Sequence, residues 1–328
     1  MADVEGIESE SVRFVLEHLA PGSQELTLDA LRQHSNNDYL LQPIRQVARG
    51  AALVSITSAV QRPGEVRVSA EHADGTARDW TFSVGGDGRI VAASAGRHVD
   101  GVDFWSGPPA ELPTADRDLL QQVFAAAYSS SVPEYLDRQL ETMTCLVVAR
   151  RGTAVVGFAL GGGTDIRTAA LGEVKVALPG LTCVDPHEQR SGIGQGMGNR
   201  ATWLNLSMHG PREVAAPRFA TPASFAMAMK GQGQVRWPPP DDLYAQYDHP
   251  TAVQIELAHE AALAYGNQGY DPATGACIGL GRPIGVPNVE PEVPDEYHRR
   301  FERIDRQRGD SLLYLRWLVD PPDVWSAA

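Results

Sequence analysis

The sequence predicts a mixed α/β chain: a mixed sheet flanked by helices, preceded by a smaller α+β unit built on an antiparallel sheet. Three features predict it. In residues 1–103 helical periodicity gives way to four β runs separated by turn signals. Residues 114–160 read as helix, helix, hairpin. Residues 181–200, Leu-Thr-Cys-Val-Asp-Pro-His-Glu-Gln-Arg-Ser-Gly-Ile-Gly-Gln-Gly-Met-Gly-Asn-Arg, read as strand, glycine turn and helix start. Three units are expected, over 1–103, 104–237 and 238–328.

In the first unit Val12, Val15, Leu16 and Leu19 recur at helical spacing, as do Leu40, Leu41, Ile44 and Val47. Leu53–Val60, Glu65–Ala73, Ala77–Val84 and Arg89–Ala95 are β runs divided by Pro63-Gly64, Asp74-Gly75 and Gly85-Gly86-Asp87-Gly88. Trp80, Phe82 and Val84 alternate with Asp79, Thr81 and Ser83, the pattern of a half-buried strand. Helices on one face of an antiparallel sheet resemble the SnoaL-like, or cystatin-like, α+β fold, which implies no particular chemistry. Pro108, Pro109 and Pro113 mark the link to the next unit.

Thr114–Tyr128 has Leu119, Leu120, Val123 and Phe124 on one side of a helix, and Pro133 opens a second with Leu136 and Leu140. Cys145–Ala149 and Ala154–Leu160 flank Arg150-Arg151-Gly152 as a hairpin. Leu181, Cys183 and Val184 suit a strand, Asp185-Pro186 ends it, and Ser191–Gly194 opens a helix through Met197, Ala201, Leu204 and Met208. A helix N-terminus leaves backbone N–H groups unpartnered and carries partial positive charge, so a pyrophosphate is stabilised there, and Gly192 and Gly194 remove the Cβ atoms that would hold it off.

Other phosphate-binding patterns fit less well. A P-loop needs Gly-Lys-Ser or Gly-Lys-Thr, which is absent, and a dinucleotide fingerprint beginning Gly192-x-Gly194 needs glycine at 197, where Met197 stands. Gln189-x-x-Gly192-x-Gly194 after Val184-Asp185-Pro186 resembles motif A of the GNAT family of acyl-CoA-dependent N-acyltransferases. The resemblance covers roughly residues 104–237. It implies a GNAT-type mixed sheet, with acetyl-CoA as co-substrate. The backbone of Gln189, Arg190, Ser191, Gly192, Ile193 and Gly194 would hold the pyrophosphate, and Cys183 and Val184 would pair with the pantetheine arm.

After Gly210-Pro211, Val214–Ala220 reads as the next strand and Thr221–Lys230 as the next helix. Family members commonly place a tyrosine there to protonate the leaving thiolate, whereas this helix has Phe225, Met227 and Met229. Tyr265, in Ala-Leu-Ala-Tyr-Gly-Asn-Gln-Gly-Tyr, fits the family's Tyr-x-x-x-Gly-Phe context better and is the candidate acid. A carboxylate on the strand leading to motif A often serves as base, which makes Glu173 the candidate, beside the blander reading of a surface ion pair. Beyond Pro238-Pro239-Pro240, Thr251–Tyr265 and Asp295–Arg306 read as helices and Leu312–Val319 as a β run closing the sheet.

Composition bounds these readings. The chain has 328 residues, 43% of them hydrophobic, enough for about two domains with cores. No bilayer-spanning run and no basic-then-apolar start is present, and the three cysteines have no paired spacing, so a cytoplasmic protein is expected. Neither His-Glu-x-x-His nor Cys-x-x-Cys occurs, so no metal is expected, and Gly-x-Ser-x-Gly is absent too. A net charge of −13 disfavours nucleic acid and suits a cationic acceptor. The expected activity is acetyl transfer to a primary amine of a small molecule or peptide. The alternatives are a catalytically silent CoA- or partner-binding protein and transfer of a longer acyl chain. The long tail would cover the acceptor side or form a homodimer contact.

Overall fold

The computed structural model describes residues 4, 6–129, 132–210, 212–229, 250–279, 286–288, 292–317 and 321–325. The expected boundary at 237–238, Pro238-Pro239-Pro240, Lys230 and the Leu318-Val319 end of the last β run lie outside them.

Helices α1 (Glu10–Leu19), α2 (Leu28–His34) and α3 (Leu41–Gly50) precede β1 (Leu53–Arg62), β2 (Glu65–His72), β3 (Ala77–Val84) and β4 (Ile90–Arg97). The strands form an antiparallel sheet in chain order. Ser9 and Thr27 cap the first two helices by accepting the N–H groups of Val12 and Ala30. Helix α2 escapes the periodicity because Leu31 is its one buried residue. Val12, Val15, Leu16 and Leu19 share a core with Val66, Val68, Trp80 and Phe82.

Next come β5 (Asp103–Gly107), α4 (Thr114–Ala127), β6 (Tyr128–Ser129), α5 (Pro133–Thr142), β7 (Cys145–Arg151), β8 (Ala154–Thr168) and β9 (Gly172–Val184). They are followed by α6 (Ile193–His209), β10 (Val214–Ala215), β11 (Arg218–Phe219), α7 (Pro222–Met229), α8 (Ala252–Ala264), β12 (Gly269–Asp271) and β13 (Ala276–Ile278). The last elements are β14 (Val286–Pro287), α9 (Asp295–Phe301), β15 (Ser311–Leu313) and β16 (Arg316–Trp317). A mixed six-stranded sheet has the order β16-β10-β9-β8-β7-β5, with β10 parallel to β9. An antiparallel sheet has the order β11-β15-β13-β12, and β6 pairs with β14.

Two expected strands are each broken in two. Residues 214–220 split at Ala216-Pro217, because proline has no N–H to continue a ladder; β10 stays with β9 while β11 pairs with β15. Residues 312–319 likewise supply β15 to the second sheet and β16 to the edge of the first.

Alternating residues of β7 separate two layers. Leu146 and Val148 pack with Leu120, Phe124, Leu136, Leu140, Leu257 and Ala261 of α4, α5 and α8. Val147 and Ala149 pack on the opposite face with Ile193, Met197 and Ala201 of α6. The far side of α6 meets the first sheet. The Trp203 and Trp80 rings lie 5.0 Å apart, edge to face, and the Ala93 N–H on edge strand β4 donates to Ser207 Oγ at 2.9 Å. Helix α6 is thus enclosed between two sheets, and it covers an edge strand that would otherwise present open hydrogen-bonding groups. Among the described residues no helix is long and apolar enough to cross a membrane.

Candidate functional site

The site starts at a bulge. Ala159 pairs with Thr182 and Gly161 with Pro179, so β9 carries one residue more than β8 there. Gly180 belongs to this irregularity, since a Cβ on it would meet the Leu160 carbonyl oxygen at 2.9 Å. On its other side β9 pairs with β10 at Val176–Val214 and Ala177–Ala215. One more bond follows, from the Ala216 N–H to the Ala177 carbonyl at 2.9 Å. The chain then leaves for the second sheet, and among the described residues β9 has no further ladder partner on that side towards Val184.

The turn after β9 is braced from below. Asp185 accepts the His187 N–H at 2.8 Å, and Ser191 Oγ donates to the Glu188 carbonyl at 2.6 Å. Arg151 donates to both Glu188 oxygens at 2.8 and 3.0 Å, which holds that carboxyl below its ordinary range. This bracing lets Arg190 occupy the left-handed region at φ +65°, a conformation that costs a non-glycine residue about 1 kcal/mol. Gly192 follows at φ +91° as the N-cap of the 17-residue helix α6 and has no side chain to cap it, while the Ile193 N–H makes a long bond to Ser191 Oγ at 3.4 Å. Ile193, fully buried, anchors the first turn beneath the central sheet, and Gly194 passes Val184, where a Cβ would have ordinary contact at 3.5 Å. A Cβ on Gly192 would lie 3.5 Å from Arg97 Nη1 at the end of β4, and that guanidinium also reaches Gln195 Oε1 at 3.4 Å. A left-handed turn, a helix N-terminus with a glycine N-cap and Arg97 together make a positive seat suited to an anion.

The structure therefore brings Val184, Gln189, Arg190, Ser191, Gly192, Ile193 and Gly194 into one turn. Cys183 is adjacent, but its side chain points into the core, 2% exposed, and burial pushes its thiol up. Only its backbone is available to a ligand along β9.

The two proton-transfer candidates lie apart. The Tyr265 hydroxyl is within 2.7 Å of the Pro179 carbonyl oxygen and 2.8 Å of that of Ala216, so it sits where β9 and β10 separate. Its one proton serves two backbone acceptors, and burial raises its pKa above the ordinary tyrosine value. Glu173 stands at the opposite end of β9, eleven residues or roughly 36 Å of extended strand from Val184. Its side chain is 57% exposed and pairs with Arg167 at 3.6 Å. Glu173 thus belongs to the hairpin end of a strand longer than the β run around motif A suggests, away from the turn. Of the cationic groups in the region, Arg97 and Arg218 have no motif to betray them. Both are single arginines in short β segments, placed by tertiary packing. Among the described residues no three His, Cys, Asp or Glu side chains gather as a metal site.

No family model matches the chain, and no curated protein matches it. Among solved structures it is similar to the GCN5-related glucosamine N-acetyltransferase region of a fungal multi-domain GH3 β-N-acetylglucosaminidase, at 14% identity and a TM-score of 0.28 over 35% of this chain and 13% of that one. It is also similar to the ribosomal-protein-S18-alanine N-acetyltransferase of Escherichia coli, at 14% identity and a TM-score of 0.28 over 39% of this chain and 74% of that one. A third similarity is to an aminoglycoside acetyltransferase from an uncultured soil metagenomic sample, at 16% identity and a TM-score of 0.29 over 43% of this chain and 95% of that one.

Proposed function

We propose that the chain is a GNAT-type N-acyltransferase that takes acetyl-CoA as co-substrate and acylates a primary amine of a small molecule or peptide, in the cytoplasm. The observation that carries this reading is the turn Gln189–Gly194. It has two left-handed residues at a helix start with a glycine N-cap, and it follows a bulged strand that parts from its parallel neighbour. These residues fit a pyrophosphate: the N-cap of α6 is a glycine without a capping side chain, the Ile193 N–H has only a long bond to Ser191 Oγ at 3.4 Å, Gly192 keeps the approach open, and Arg97 adds charge at the rim. The free edge of β9 beyond its pairing with β10 would pair with the pantetheine amides. A thiol of pKa about 8.5 leaves as thiolate without an obligatory acid, so Tyr265 would act by holding the strand separation rather than by giving up a proton that burial retains. The helices-then-meander order of the first hundred residues supports the SnoaL-like reading without adding a chemistry.

The separation of Glu173 from Tyr265 favours keeping a second reading, a CoA-binding protein without turnover. Calorimetric titration with acetyl-CoA, CoA and desulfo-CoA, followed by CoA release across an amine panel, tests both. Binding with release supports the acyltransferase, and binding without release supports the silent reading. A folded protein that binds none of the three rules out both.

A further inference from the structure

Among the described residues, enclosed arginines have carboxylate partners. Arg150 pairs with Asp116, Arg200 with Asp79 at 2.8 Å and Arg212 with Asp165 at 3.0 Å. Arg218, the first residue of β11, does not. Its Nη1 donates to Asn267 Oδ1 at 2.6 Å, and its Nη2 donates to Gln139 Oε1 at 3.2 Å and the Tyr135 hydroxyl at 3.3 Å. The guanidinium carbon lies 4.1 Å over the Tyr265 ring. Its Nε is buried and has no acceptor.

None of these partners is a carboxylate. The nearby Cys277 thiol is neutral, since burial pushes it up to about 12. A guanidinium has five N–H donors and keeps its charge. Here three bonds are made to uncharged groups, so two donors and the whole charge remain uncompensated among the described residues. A buried charge without a counter-charge is a burden on folding and persists where a ligand supplies the other sign. Arg218 also lies in a telling place, against the ring whose hydroxyl marks the parting of β9 and β10. On the acyl-CoA reading, on which this inference rests, that is where the thioester end of the donor meets the acceptor.

We propose that Arg218, held by Asn267 and Gln139, is a carboxylate-binding subsite, so that one of the two reactants carries a carboxylate. The carboxylate belongs either to the acceptor, as in an amino acid, or to the acyl chain, as in a dicarboxylic monothioester. Planar guanidinium donors match a carboxylate's acceptors, which makes this anion the fitting one.

Matched pairs test it on the intact protein. Succinyl-CoA is titrated against acetyl-CoA, and L-phenylalanine and L-lysine against phenethylamine and 1,5-diaminopentane in the presence of CoA. The expected result is binding at least tenfold tighter for the carboxylate member of one series. A preference in the first series assigns the acyl chain, and one in the second assigns the acceptor. In Arg218→Met the preference disappears while CoA affinity persists and Tm holds or rises, because an uncompensated charge is gone. Equal affinities within both series on wild-type protein overturn the proposal without any variant. So does a fall in Tm of Arg218→Met with unchanged preferences, which would make the arginine a structural ion. If folded wild-type protein binds no CoA species, the acyl-CoA reading fails by itself. Thermal shifts with succinate against succinamide then decide the subsite: a rise in Tm with succinate alone supports it, and no rise overturns it.

Discussion

Asp79 is the residue through which the first sheet holds α6. It accepts from Arg200 Nη2 at 2.8 Å, from Ser69 Oγ at 2.8 Å and from His98 Nδ1 at 2.8 Å. Arg200 also donates to the Arg97 and Gly196 carbonyls at 3.1 and 3.0 Å and stacks 3.7 Å over Phe104. Burial lowers its pKa to about 10, so it stays charged at neutral pH. Asp79→Ala strands that charge at 1% exposure, and the expected loss is about 3 kcal/mol in urea denaturation. His98 gives the same cluster a pH dependence. Its hydrogen bond to Asp79 raises its folded-state pKa above 6.5, so its contribution is complete below pH 6.5 and fades as pH rises through the folded value. Because the ring is 38% exposed, the contribution is below ~1 kcal/mol. Stability of His98→Gln against wild type from pH 5.5 to 8.5 should show a deficit at the acid end only. Comparing the two proteins removes the opposite effect of His72, whose pKa burial lowers. Glu173→Gln, at an exposed pair far from the turn, should leave acyl transfer unchanged at every pH. A rate that falls below that of the wild type, and more so at low pH than at high pH, would make it the base.

At the scale of elements, close approach decides what each glycine does. A Cβ on Gly96 would sit 2.4 Å from the Gly196 carbonyl oxygen and 2.6 Å from Arg200 Nη1, so β4 and α6 touch backbone to backbone. Gly96→Ala must push them apart. A cost on the order of 2 kcal/mol is expected by denaturation, with weaker CoA binding as Arg97 shifts from the turn. Gly192→Val should act the other way round: the φ of +91° penalises valine by roughly 1 kcal/mol, while the seat for the anion is lost. Calorimetry should show at least a tenfold fall in CoA affinity for a folded protein, and affinity that survives would count heavily against the cradle. The turn was legible in sequence because Gly192 is the residue type its left-handed backbone demands, at a fixed spacing from Gln189 and Gly194. Arg190's left-handed conformation was not legible, since it depends on Arg151 bracing Glu188 from outside the loop and on the Ser191 bond to the Glu188 carbonyl within it. The broken strands at 214–220 and 312–319 look continuous to a two-residue periodicity, and only the change of sheet partner at Pro217 and Tyr314 divides them.

For the whole molecule, the element that joins the first sheet to the central one is only weakly amphipathic. Helix α6 buries Ile193 and Met197 against the central sheet and Trp203 against the first sheet, with Arg200, Asn205 and Ser207 buried between them. A helix enclosed on two sides has no single apolar stripe, so its second partner cannot be read from periodicity. The charge and ring contacts of Arg200 and Trp203 reveal that partner only in three dimensions. The expected consequence is thermodynamic coupling between the turn at Gly192 and a sheet that, among the described residues, reaches it through Arg97. Trp203→Ala removes a ring packed edge to face on Trp80 and should cost about 3–5 kcal/mol. Because the same helix ends at Gly192, that variant should also bind CoA more weakly, although residue 203 lies three helical turns from the seat. Urea unfolding of the wild type followed by tryptophan fluorescence and by far-UV circular dichroism should give coincident transitions, since Trp80 and Trp203 share a core that cannot open without releasing α6. Two separated transitions, with CoA binding retained after the first, would instead show that the first sheet is a passenger and that the cradle stands on the central sheet alone.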